Sequence, residues 1–200
     1  DYGLGTWSPA GFLAQNREQH TATQLLDGRI IAIGGLGISG TGIATVEIYN
    51  PILNKWTLVR SMTQARAAHT ATMLPDGRVL VAGGNDGRVS IRQVELYDPT
   101  SDKWYAVEEM SIARADHKAT LLPDNRILLT GGNVNTTSTE IFDPLTMKWT
   151  SSSGHNEVRF EHSATLLNNG KVLAVGGHPN EDTALWTADI FDPATATWEP

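Results

Sequence analysis

The stretch His69-Thr70-Ala71-Thr72-Met73-Leu74-Pro75-Asp76-Gly77-Arg78-Val79-Leu80-Val81-Ala82-Gly83-Gly84 decides the fold. Thr70 to Leu74 reads as a short strand, a. Asp76-Gly77 supplies the positive φ that a tight hairpin turn demands. Val79-Leu80-Val81-Ala82 is β-branched, apolar and uninterrupted, which predicts a second strand, b, covered on both faces. The glycine pair ends it, where the backbone kinks or another chain segment leaves no room for a Cβ.

The same text recurs along the chain, and a repeat period must be read before any other feature. Five tryptophans mark it: Trp7, Trp56, Trp104, Trp149 and Trp198, spaced 49, 48, 45 and 49 residues apart. Ten residues after each of the first four stands an arginine (Arg17, Arg66, Arg114, Arg159), and thirteen after stands a histidine (His20, His69, His117, His162). A glycine pair begins 27 residues after each Trp, and an acid stands nine before the next: Glu47, Glu95, Glu140 and Asp189. An aromatic and then a proline follow each acid, as in Tyr97 and Pro99, and predict a third strand, c, closed by a turn. The fourth strand, d, begins at the Trp. Repeats framed on the Trp run over about 7–55, 56–103, 104–148 and 149–197. All variation in length falls between the glycine pair and the acid, so the b–c connection is the tolerant surface loop of each repeat.

The pattern resembles the kelch repeat, in the wording of bacterial and galactose-oxidase-type units, over essentially the whole chain. The resemblance implies an all-β propeller of four repeats, each a four-stranded antiparallel blade stacked on its neighbours. Three arrangements remain: four blades closing a ring, part of a larger propeller, or two chains pairing into an eight-bladed ring. In the first, the d strand at Trp7 would complete the last blade and leave Trp198 to begin a spare one. An open array leaves blade faces bare and favours a homodimer through its incomplete edges.

Composition removes several function classes. With 15 Lys and Arg against 22 Asp and Glu, the net charge of −7 argues against nucleic acid as a partner. The absence of cysteine removes disulfides, thiol nucleophiles and Cys-ligated metals. Apolar runs such as Ile30 to Ile33 are too short to span a bilayer, so no membrane partner is expected. Opening on Asp1, the chain reads as a processed product or an excerpt, and its lack of cysteine leans towards an exported bacterial protein.

A residue copied into every repeat is expected to build the repeat. Each register Arg, His and acid is therefore expected in a buried network that locks a blade to its neighbour. Side chains outside the register are the functional candidates: Trp186 and His178 in one long b–c loop, and His155 in the preceding d–a connection. Antiparallel order places b–c and d–a connections on one rim. Residues between the register Arg and His should ring the mouth there, and among them Phe160, Glu161 and Asp116 stand out; the second b–c loop adds Arg88 and Arg92.

The expected function is a non-catalytic module holding a protein or glycan on that variable-loop face, with no cofactor. One alternative is the propeller portion of a larger secreted enzyme of the galactose-oxidase type, without its active centre; that family needs a Tyr–Cys cross-link, and no cysteine is present. Another is a self-assembling structural unit whose Trp198 strand docks on a second chain. A metal site from His178, Glu181 and Asp182 has no diagnostic spacing and is not expected.

Overall fold

The computed structural model describes residues 7–132, 137–155, 157–180 and 182–200. Four sheets account for the strands. The first holds β1 (Thr21–Gln24), β2 (Ile30–Ile33), β3 (Val46–Asn50) and β4 (Lys55–Val59). The second holds β5 (Thr70–Met73), β6 (Val79–Ala82), β7 (Val94–Asp98) and β8 (Lys103–Ala106). The third holds β9 (Lys118–Leu121), β10 (Ile127–Thr130), β11 (Thr139–Asp143) and β12 (Lys148–Ser152), and the fourth β13 (Ser163–Leu166), β14 (Val172–Val175), β15 (Ala188–Asp192) and β16 (Thr197–Glu199). Each is antiparallel with its strands in chain order, the a-b-c-d blade that the repeats predict.

Local chemistry sets each hairpin. Gly77 takes φ 89° and donates its N–H to the Leu74 carbonyl at 3.0 Å, while the Asp76 carboxylate accepts the Arg78 N–H at 3.0 Å. Across β7 and β8 Tyr97 faces Trp104 with ring centroids 4.8 Å apart, and the other three blades repeat that pair. Such cross-strand aromatic pairs fix register as well as burying area.

The Trp strand closes the sheet of the acid that precedes it, so the framing differs from one that begins each unit at Trp. Trp198 lies in β16, paired with β15 and buried, and is not a spare strand awaiting another chain. Trp7 lies in no strand and is fully exposed, so it does not complete the fourth blade.

The core lies between sheets. Ile31, Ile33 and Val46 of the first blade pack on Val79, Val81 and Tyr97 of the second. Leu80, Val94 and Leu96 pack likewise on Ile127, Leu129 and Phe142, and Leu128 and Ile141 on Val172, Ala174 and Phe191. Because strand b is wedged between two neighbours, it is apolar throughout rather than alternating.

The first strands pack side by side in the order β1, β5, β9, β13. Among the described residues no comparable packing joins β13 back to β1. The last residue of strand b makes the difference plain: Ile33, Ala82 and Thr130 are 0–1% exposed, whereas Val175 is 42% exposed. The four blades form an open arc.

Candidate functional site at the loop rim

The register residues divide into two jobs. The buried Arg66 guanidinium donates to the carbonyls of Gly83 and Gln93, both at 2.8 Å, and to Glu95 at 2.9 Å. Glu95 also accepts the Thr63 N–H and hydroxyl and the Gln64 N–H. This ion pair staples the entry of a blade to that blade's own strand c. It does not bridge two blades, as the sequence reading expects of the Arg–acid pair.

The junction is made by other atoms of the same residues. Gly35 N–H donates to the Arg66 carbonyl at 2.8 Å, and Met62 N–H to the Ala44 carbonyl at 3.0 Å. Ala68 N–H donates to the Gln19 carbonyl at 2.9 Å, and the His69 ring meets the Thr21 hydroxyl at 2.9 Å. The second junction repeats all four, through Gly84–Arg114, Met110–Arg92, Asp116–Ala68 and His117–Thr70. The third uses Gly132–Arg159, His155–Thr137 and Glu161–Asp116, with His162 moved to the Thr130 hydroxyl.

The mouth follows from this ladder. Gln19, Ala68, Asp116 and Glu161 all hold φ between 51° and 56°, a left-handed kink that, in the last three, turns the N–H to the carbonyl of the previous blade. Phe160 and His178 exchange two backbone hydrogen bonds at 3.0 Å, and their rings lie 5.8 Å apart. The adjoining Asp116 has its carboxyl pushed above the usual range, by burial first and by the nearby Glu161 charge second. An aromatic pair and an acid pair thus share one edge of the rim.

A family model described as the Kelch motif matches residues 20–63 and 66–111. The first two blades are kelch motifs. The matched segments cover the first two repeats, and the last two carry the same register. No curated protein sequence matches the chain. Kelch repeats generally mediate protein interactions.

Within the kelch frame the candidate residues separate. Phe160, His178, Glu161 and Asp116 come together as above. Arg88 is exposed in the second b–c loop, where the Asp86 carboxylate accepts the Arg88 and Val89 N–H groups. Arg92 pairs with Glu109 at 2.6 Å. His155 is 4% exposed, with its ring 3.8 Å from Trp198. It stands six residues after its Trp, the position of Leu13, Met62 and Met110, so it is a junction residue away from the rim surface. Trp186 is 95% exposed and stands three residues before its acid. Ala44, Arg92 and Thr137 hold that position in the other blades, and each gives its carbonyl to the following blade. Glu181 lies outside the described residues.

Burial holds the junction histidines neutral. Desolvation first, and neighbouring cationic groups after it, lower His69 and His162 to about 3 and His155 to about 4, and put His117 well below its ordinary value. The unfolded chain takes these protons near pH 6.5, whereas the folded chain refuses them until far lower. The stability they supply is complete above that pH and is lost as pH falls towards 3–4. The melting temperature should therefore drop steadily on acidification from pH 6.5. His155→Met, which restores the residue of the two middle repeats, should shallow that drop between pH 6.5 and 5; an unchanged slope would show that His155 titrates normally.

Proposed function

We propose that this chain is a non-catalytic protein-interaction module that holds its partner on the rim formed by its b–c and d–a connections. The observation that carries the reading is the edge where Phe160 over His178 adjoins Asp116 and Glu161. Exposed or half-buried aromatics anchor partners through area, and a flanking carboxylate pair selects the cation that accompanies them. The ligand class that fits is a peptide segment with a lysine or arginine beside an apolar residue, in keeping with the net charge of −7. Arg88, exposed on the second b–c loop, supplies a positive group that would orient the acidic end of the same segment.

Selection from a displayed random-peptide library tests this. Basic peptides with one bulky apolar residue should be enriched. Asp116→Asn with Glu161→Gln should weaken the best of them at least tenfold and remove most of its salt dependence. Enrichment of acidic or neutral peptides, or equal binding by the double variant, would count against the site.

A further inference from the structure

The two ends of the arc are not equivalent surfaces. They are the two halves of one more junction. On the face of the fourth blade that points away from the third, Ser163, Thr165, Val175 and Ala188 are exposed, while the matching residues of the second and third blades are buried or half-buried. Ser163 holds the position from which Thr21 and Thr70 meet the histidine of the next blade. Gly177 matches Gly35, Gly84 and Gly132, whose N–H groups donate to the next arginine's carbonyl, and among the described contacts Gly177 N–H has no such acceptor. Trp186 carries the carbonyl that Ala44, Arg92 and Thr137 give away.

The first blade presents the complement. Ala22 and Gln24 are exposed, whereas their equivalents Ala71 and Met73 pack on the preceding blade's core. Gln19 N–H stands where Ala68, Asp116 and Glu161 each donate across a junction, and His20 stands exposed where His69, His117 and His162 are buried. The arginine carbonyl that Gly177 lacks is, in register, that of Arg17.

We propose that these faces bind each other between two copies of this chain, head to tail, so that the fourth blade of each receives the first blade of its partner. Both contacts form at once about a two-fold axis, and two arcs of four blades close an eight-bladed ring. The internal junctions supply the template for every bond, so the occupant is chemically specified: a surface with a left-handed donor, an arginine carbonyl and a histidine ring at fixed spacing. Trp186 then serves as a cover over the incoming Leu13, the residue matching Met62 and Met110. This inference is independent of the rim's ligand.

Light scattering after size exclusion should give a particle of twice the 21.7 kDa chain mass. Val175→Arg spoils only the outgoing face, and Ala22→Arg only the incoming one. Each variant alone should run as a single chain with an unchanged strand signature by circular dichroism. Mixing them should give a pair weaker than the wild type, held by the one junction in which both faces are sound, because the other junction carries both arginines. A wild-type single chain, an unlimited polymer, or either variant that remains folded and still pairs as tightly as the wild type would each overturn the proposal.

Discussion

Glu95→Ala should be among the most damaging single substitutions in the molecule. The Arg66 side chain is 0% exposed and that of Glu95 4%, and they meet at 2.9 Å. Burial pulls the guanidinium below its ordinary value, and the Glu95 charge opposes that pull. Removing the carboxylate leaves a cation with no counter-charge and no water. Breaking one partner of such a pair costs about 3–5 kcal/mol, against the small worth of an exposed pair. For a domain of this size that is a fall of roughly 6–20 °C in melting temperature. Asp76→Ala is the contrast: its partner Arg78 is 2.6 Å away, but the side chains are 48% and 32% exposed. That loss should stay below about 1 kcal/mol. Differential scanning calorimetry of the two variants decides the matter, and equal losses would show that the register acids contribute no more than surface charges.

The blades were legible because their determinants are local. Strand b announces itself by unbroken apolarity, the hairpin by Asp-Gly or Asn-Gly, and the junction by a glycine pair that nothing larger could replace. What the residues could not show directly was which partner each repeated side chain takes. Arg66 and Glu95 are 29 residues apart, and only the pairing of β6 with β5 and β7 brings them to one side of one blade. The outliers by residue type are a different case. His155 breaks the histidine spacing but keeps the methionine spacing, six residues after the Trp, and a comparison with Met62 and Met110 would have found it in the core. Trp186 likewise looks unique by residue type, yet it holds the position of Ala44 and Arg92. In a repeat protein, position relative to the frame predicts burial better than residue type, because the junction geometry recurs even where its chemistry drifts. The rim cluster of Phe160, His178, Asp116 and Glu161 was legible as a set, since each flanks a register residue whose place the fold fixes.

The second large effect lies at the glycines, and it also separates an open arc from a closed one. Gly83 holds φ 59°, and a Cβ there would stand 2.5 Å from the Arg114 carbonyl oxygen, a backbone atom that cannot swing aside. Gly176 holds the same place with φ 63°, yet the nearest atom to its Cβ would be the Leu185 carbonyl oxygen at 3.6 Å. Left-handed strain, about 1–3 kcal/mol, applies to alanine at both positions. Overpacking against the next blade, about 1–3 kcal/mol more, applies to Gly83 alone. The most direct test compares the melting of Gly83→Ala and Gly176→Ala in the Ala22→Arg background, where the chain is expected to remain single. The structure predicts a distinctly larger loss for Gly83→Ala, by roughly 1–3 kcal/mol. Equal losses would mean that a blade of the same chain covers Gly176, and the open arc, with everything inferred from its ends, would be wrong.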